Sequence, residues 1–163
     1  MAKILIWINT YNRVEMLSRL LKSIDLQKKN HEIGLFIFND KSKDDYCEVK
    51  KNPLIHLFYT TNEHCGREKY WCLINQGLDY IKRYKNNYDL FIKTDDDMIL
   101  CENFFDICLE KWSAIYEKKV FSLDILSAPK QRGRTLNGYK LSPILKNNHN
   151  FYKTQWVDMN FIF

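Results

Sequence analysis

The chain has 163 residues, 45% of them hydrophobic, so it can bury a substantial core and is interpreted as one domain. It lacks the run of about 20 apolar residues that a membrane-spanning helix needs, and MAKILIWINT does not have the layout of a signal peptide. These features predict a soluble, cytoplasmic protein. The formal charge of +5 comes from 25 basic and 20 acidic residues scattered along the chain. It therefore fits nucleic acid, a diphosphate compound and an anionic membrane surface equally.

The five cysteines predict neither a disulfide framework nor a zinc knuckle, because their number is odd and no two form a CxxC pair. We expect most of them to be small core residues. Cys101 and Cys108 are seven positions apart in a predicted helix, which would place both on one face for packing.

The chain begins with a predicted strand and helix. Residues 3–8 (KILIWI) form a short apolar run that is typical of a strand. The helix is predicted to begin near Arg13, because Asn12 and Glu15 have the spacing of two side chains that cap a helix start reciprocally. Its apolar residues recur at helical spacing: Val14, Leu17, Leu20, Leu21 and Ile24.

Three further strands are predicted at residues 33–38, 55–59 and 89–94. The run IGLFIF has no polar alternation, as expected of a parallel strand that is covered on both faces. The helices after the third and fourth strands are marked by Trp71, Ile74, Leu78 and Ile81, and by Phe105, Cys108, Leu109, Trp112 and Ile115. This order predicts an α/β fold, a doubly wound and mostly parallel sheet with helices on both faces.

Each predicted strand ends in a polar segment, at residues 9–12, 39–42, 62–67 and 95–97. The carboxyl ends of parallel strands meet at one edge of the sheet, where ligands of such folds bind. We therefore expect the four polar segments to gather there and form the functional site.

Three consecutive aspartates, Asp95, Asp96 and Asp97, follow the fourth strand. Their mutual repulsion costs stability unless a cation offsets it. Mg²⁺ or Mn²⁺ would do so, since such ions prefer oxygen ligands and commonly take one or two protein carboxylates together with water and substrate phosphates. An Asp-Xaa-Asp pair can supply two ligands, or one ligand directly and one through water. The alternative is a solvated turn or a helix start, where aspartates are also favoured.

With these motifs, the chain from Ile4 to about Trp112 resembles the inverting, family-2 glycosyltransferases with the GT-A fold. Four segments in the same order carry the resemblance: ILIWINTYNR, FIFNDKSKD, NEHCGREKYWCLINQGLDYI and FIKTDDDMILCENFF. The resemblance implies transfer of a sugar from a nucleotide-sugar donor, a UDP- or GDP-sugar first of all, to a hydroxyl of a saccharide or other acceptor. It also implies a divalent metal, Mn²⁺ or Mg²⁺, as cofactor.

The resemblance assigns nucleotide contacts to the first three polar segments. It places Asn9, Thr10 and Tyr11 at the nucleoside, Asp40 at the base and Arg67 near the base or the diphosphate. The chemistry agrees, because a carboxylate accepts from a pyrimidine N–H and an arginine forks onto phosphate. Each residue also has a structural interpretation: Tyr11 as cover for the core edge, Asp40 as a turn residue and Arg67 as an exposed helix-start residue.

At the aspartate triplet, the resemblance makes Asp97 the principal metal ligand. Asp95 would lean toward the ribose and is the second candidate metal ligand, while Asp96 belongs to the nucleotide-sugar site. Lys93, on the strand before the triplet, is expected to face solvent or to pair with an aspartate.

Residues 1–112 are predicted to be the nucleotide-sugar-binding part of a single domain spanning 1–163, with residues 113–163 as a partial acceptor side. Within the latter, 120–128 is a predicted strand and 129–140 a basic loop that either closes over the diphosphate or is simply exposed. Asp158 is the candidate catalytic base. The short second half and the strand-like ending at 154–163 suggest a truncated fragment or an unusually short enzyme.

Three other classes compete with the glycosyltransferase interpretation. A nucleotide-binding or scaffold protein without turnover would fit the short second half. A phosphorylated signalling domain of the flavodoxin type needs an acidic pair after the first strand, where this chain has NTYN. A nucleic-acid binder is disfavoured because no basic stripe with interleaved aromatic residues is present.

Overall fold

A computed structural model describes residues 1–114, 142–146, 149–153 and 161–162, with side chains described only within 1–114. Four strands and three long helices alternate along the first 114 residues. The strands are β1 (Lys3–Thr10), β2 (Glu32–Asn39), β3 (Ile55–Thr60) and β4 (Leu90–Asp95). The helices are α1 (Val14–Gln27), the short α2 (Cys47–Lys50), α3 (Tyr70–Tyr84) and α4 (Phe104–Ala114). A single turn of 3₁₀ helix, Lys28–Asn30, follows α1.

The sheet has the strand order β3-β2-β1-β4-β7, where β7 is Phe161–Ile162. β1 pairs in parallel with β2 and β4, β2 pairs in parallel with β3, and β7 is antiparallel to β4. Two other strands, β5 (Ser142–Lys146) and β6 (His149–Lys153), form a separate antiparallel pair. The predicted α/β class and largely parallel sheet are confirmed, and each of the four predicted strands lies within two residues of its observed bounds.

Alternation along the strands divides the core into two layers. Ile4, Ile6 and Ile8 of β1 face α1 and α4, whereas Leu5 and Trp7 face α3. The α3 side is rich in aromatic rings, among them Trp7, Phe36, Phe38 and Phe91. Because both faces are covered, every residue of β1 after Lys3 is buried, which explains the unbroken apolar run in the sequence.

The predicted reciprocal cap of α1 is wrong. Asn12 has φ 50°, a left-handed conformation, and no side chain caps the helix from the residue at its start, Arg13. Asn12 instead accepts from the Lys43 backbone N–H at 2.8 Å. The backbone N–H of Val14, which has no partner within the helix, donates to Asp44 Oδ2 at 3.1 Å. The loop after β2 therefore caps α1, a long-range partner that spacing within residues 12–15 does not reveal.

Two other expectations from helical spacing are corrected. Cys101 lies before α4 and is exposed, so only Cys108 of the predicted pair is a core residue; Cys47 is exposed as well. On α3, Trp71 is 62% exposed, and the buried positions are Leu73, Gly77 and Ile81. The predicted features at 120–128 and 129–140 lie outside the described residues, as does Asp158. Within the described residues, no helix has the length and apolar character to span a membrane.

We predict that Gly77→Ala destabilises the protein, because a Cβ at this position would overlap the buried indole of Trp7. Alanine gains up to about 1 kcal/mol of helix propensity over glycine, but overpacking a core typically costs about 1–3 kcal/mol. Urea unfolding should therefore give a net loss of stability. Asn75→Ala, at an exposed position of the same helix, is the matched control and should not be destabilised. Equal stability of Gly77→Ala and wild type would contradict the packing of α3 on Trp7.

Candidate functional site

Only Asp95 of the aspartate triplet belongs to β4, whereas Asp96 and Asp97 lie in the turn that follows the strand. Asp95 is the last residue of the strand and lies opposite Asn9 of β1. Asp96 is only 3% exposed, while the side chain of Asp97 is 47% exposed. The three carboxylates therefore occupy three different environments, although they are consecutive in the sequence.

Lys93 does not face solvent. It lies in β4 opposite Trp7 of the central strand, its side chain is fully buried, and its Nζ forms an ion pair with Asp95 Oδ1. The alternative that we expected for Lys93, pairing with an aspartate, is the one observed. A buried ammonium is costly unless it is paired, so this contact holds Asp95 at the strand end.

Arg13 bridges the other two carboxylates. Its Nη1 lies 3.2 Å from Asp96 Oδ1 and 3.1 Å from Asp97 Oδ2. The hydrogen bond to Asp96 and the surrounding carboxylates raise the pKa of Arg13. Burial raises the pKa of Asp96, and the Thr10 hydroxyl and the Arg13 guanidinium only partly offset this effect. Asp96 Oδ2 is buried and accepts no hydrogen bond from the part of the chain that the structure describes.

The polar end of β1 is fixed from both sides of the sheet by tyrosine hydroxyls. Asn9 Oδ1 accepts from Trp7 Nε1 at 2.7 Å, and Asn9 Nδ2 donates to the hydroxyl of Tyr70 at 2.9 Å. The hydroxyls of Thr10 and Tyr46 are 3.2 Å apart. Asn9 and Thr10 belong to β1 itself and are almost fully buried. Their side chains thus contact the protein, and Tyr11, 40% exposed, is the first residue beyond the strand that is open to solvent.

Asp40, directly after β2, organises the loop after β3. Its Oδ1 accepts from the Cys65 N–H at 2.6 Å and from the Thr61 hydroxyl at 3.3 Å. Its Oδ2 accepts from the Gly66 N–H at 3.0 Å. Gly66 has φ +58°, a conformation that side-chain-bearing residues rarely adopt, and this turns its N–H toward the carboxylate. Asp40 is therefore a buried residue that holds the loop at 61–66 in place. This contact agrees with the structural alternative for Asp40, that of a turn residue.

Tyr11 and Asp40 are connected through His64. The rings of Tyr11 and His64 are stacked, with centroids 4.1 Å apart and planes 19° apart. His64 Nδ1 lies 2.9 Å from Asp40 Oδ2. Arg67 follows this loop, is exposed, and has no ion pair with the described residues. The polar segments after β1, β2 and β3 thus meet at one edge of the sheet, as their positions in the sequence predicted.

Four residues at this edge were not predicted as site residues. Two of them, Arg13 and Lys93, pair with the aspartate triplet. Tyr70 bonds Asn9, and His64 contacts Tyr11 and Asp40. Lys93 carried a usable signal, since a lone cation in an apolar strand needs a nearby acid. The partners of the other three are distant in the sequence and no local pattern identifies them.

No protein-family model and no curated protein matches this sequence. The fold does match solved structures. A mannosyltransferase from Pyrobaculum calidifontis, in complex with GDP-Man and Mn²⁺, aligns with a TM-score of 0.54 and 16% identity over 74% of this chain and 35% of that one. S. aureus TarS 1-349 in complex with UDP aligns with a TM-score of 0.48 and 18% identity, over 68% of this chain and 33% of that one. The chain spans about a third of the length of these proteins, and the likeness to the mannosyltransferase establishes a shared fold.

Proposed function

We propose that this chain is the donor-binding part of a metal-dependent glycosyltransferase. It would bind a UDP- or GDP-sugar and pass the sugar to an acceptor hydroxyl, with inversion at the anomeric carbon as in family 2. The observation that carries the proposal is the polar edge of the parallel sheet, where the aspartate triplet and the Tyr11–Asp40 group follow adjacent strands. The fold shared with a mannosyltransferase solved with GDP-Man and Mn²⁺ supports it.

The triplet fits a hard divalent ion held by few protein ligands. In the described part of the chain, no three or more acidic, histidine or cysteine side chains form a cluster that could hold a metal. Mg²⁺ and Mn²⁺ that bind nucleotides need only one or two carboxylates, because phosphates and water complete the shell. Asp97 is the acid that solvent can reach. Its neighbour in the sequence, Asp96, has a buried oxygen that receives no hydrogen bond from the described residues. A divalent ion held there would neutralise charge on the departing diphosphate.

The ion pairs support different roles for the two candidate metal ligands. Asp95 is already neutralised by the buried Lys93, which favours its assignment to the ribose hydroxyls rather than to the ion. Among the described residues, Asp97 forms an ion pair only with the half-exposed Arg13, and this contact costs little to break. Arg13 would balance the acidic edge before the ion binds and add positive charge beside the diphosphate afterwards.

The remaining roles are assigned to the nucleoside and the acceptor. Tyr11 would cover the base, Asp40 would accept from a ring N–H, and Arg67, exposed at the end of the loop, would approach the base or the diphosphate. Asn9 and Thr10 would shape the nucleoside site from below, through their bonds to Tyr70 and Tyr46. Asp158, outside the described residues, remains our candidate for the base that deprotonates the acceptor.

Thermal shift with nucleoside diphosphates, with and without Mn²⁺, tests donor binding, since a ligand that binds only the folded state raises Tm. Release of free sugar from the bound donor then distinguishes an enzyme from a binding or scaffold protein. We expect UDP or GDP to raise Tm only with Mn²⁺; no shift with any nucleoside diphosphate would contradict the proposal.

We predict that Asp97→Asn weakens Mn²⁺-dependent binding of UDP or GDP by at least about tenfold, equivalent to about 1.4 kcal/mol. The substitution keeps the shape of the side chain but removes the charge that the ion needs. Stability should be nearly unchanged, because the lost contact with Arg13 is half exposed and the repulsion within the triplet decreases.

Calorimetric titration of both proteins makes the comparison, and Asp79→Asn is the matched control. Asp79 forms an exposed ion pair with Lys82 on α3 and should keep wild-type affinity. Equal nucleotide affinity and equal Mn²⁺ dependence in Asp97→Asn would show that Asp97 is not the ligand.

We also predict strong coupling between Lys93 and Asp95. Removing one partner of a buried pair costs about 3–5 kcal/mol, and we expect Lys93→Met to approach the lower end because Asp95 is partly exposed. In a double-mutant cycle with Asp95→Asn, measured by urea unfolding, the coupling energy should exceed about 1 kcal/mol. The exposed pair Lys82–Asp79, put through the same cycle, should give about 0.5 kcal/mol or less. Similar values for both pairs would mean that Lys93 does not hold Asp95.

A further inference from the structure

His64 is held at the polar edge by two contacts of different kinds. The face of its imidazole stacks on Tyr11, with a centroid distance of 4.1 Å and an interplanar angle of 19°. Its edge meets Asp40, where Nδ1 lies 2.9 Å from Oδ2 and 3.3 Å from the backbone carbonyl oxygen. The side chain is nevertheless 44% exposed, so it lies over the polar edge and is not part of the core.

The other hydrogen bonds of Asp40 come from the loop that it anchors. The backbone N–H groups of Cys65 and Gly66 and the hydroxyl of Thr61 donate to it. A carboxylate can accept about four hydrogen bonds, and His64 Nδ1, 2.9 Å from Oδ2, lies next to the position that these three donors leave open. Three donors are thus fixed by the fold, whereas the fourth is on a half-exposed side chain that can rotate away.

A planar ring that stacks on an aromatic face and brings an edge nitrogen close to a carboxylate occupies the place that a bound nucleobase would take. We propose that His64 occupies the nucleobase position in the free protein and is displaced when the nucleotide binds. This inference rests on the proposed donor site and specifies how its base pocket is filled and opened.

The same geometry selects the base. With His64 displaced, the open position on Asp40 is an acceptor only, because the carboxylate has no proton to donate. Uracil and guanine present a ring N–H on their pairing edge and satisfy it. Adenine and cytosine present a ring nitrogen lone pair there, which the carboxylate repels. The pocket should therefore take UDP or GDP in preference to ADP or CDP.

Calorimetric titration with UDP and GDP in the presence of Mn²⁺, on wild type and His64→Ala, tests the displacement. If His64 fills the pocket in about nine molecules out of ten, its removal should tighten binding about tenfold, because affinity scales with the competent fraction. His56→Ala is the matched control, since His56 also contacts a tyrosine: its ring bonds the hydroxyl of Tyr88 at 2.7 Å. Its affinity should equal that of wild type.

Proton NMR of the wild-type protein gives a second measurement that does not depend on a variant. The chain has four histidines, and the His64 ring protons can be assigned through their nuclear Overhauser effects to the ring of Tyr11, on which His64 stacks. In the free protein they should be shifted upfield by the ring current of Tyr11, and saturation with UDP or GDP should abolish that shift. ADP and CDP at the same concentration should leave it in place.

The outcomes separate the inference from the function on which it rests. Tight nucleotide binding by wild type with equal or weaker binding by His64→Ala overturns the displacement of His64 and leaves the donor site intact. Unchanged His64 shifts in the saturated complex do the same, even if the variant fails to fold. No binding of UDP or GDP to wild type in the presence of Mn²⁺ rejects the proposed function, and the inference with it.

Discussion

The separation of three consecutive carboxylates is the constraint on which the polar edge depends. Asp95, Asp96 and Asp97 would repel strongly if they lay together at the end of a buried strand. Asp95 ends β4 and meets Lys93, whereas Asp96 and Asp97 lie in the turn after the strand and meet Arg13. Three acids face two cations, and the most exposed acid has the most exposed partner. The residual negative charge therefore lies at Asp97, where an incoming cation can reach it.

The rest of the edge is a set of side chains fixed from both layers of the fold. Tyr70 at the start of α3 and Tyr46 at the start of α2 support Asn9 and Thr10 from opposite faces of β1. Asp44 and Asn12 connect the loop after β2 to the start of α1. These long-range bonds position the strand ends. Apart from His64, whose displacement we propose, a ligand that binds here therefore meets side chains that are positioned before it arrives.

Within this edge, the proposed nucleotide side and the proposed metal side each contain groups that are held with different strength. Asp40 is anchored by backbone N–H groups and cannot move without disrupting the loop after β3, while the half-exposed ring of His64 is held by its stack on Tyr11 and its contacts with Asp40. Asp95 is fixed by a buried cation and Asp97 by an exposed one. Each side thus combines a rigid group with one that is easily exchanged, an arrangement suited to the proposed donor site, which must open for each nucleotide.

The sequence by itself determined the α/β class, the strand positions and the edge at which the polar segments meet. These follow from hydrophobic periodicity and from the rule that parallel strands end together, both of which are local patterns. It did not reveal the cap of α1 by Asp44, the bridge from Arg13 to Asp96 and Asp97, or the stack of His64 on Tyr11. Each of these contacts joins residues that are 30 to 84 positions apart in the sequence. Only the tertiary structure determines these contacts, because a side chain pairs with the residues that the fold brings close to it. The hydrophobic pattern of a segment, by contrast, reports only which of its own residues are buried.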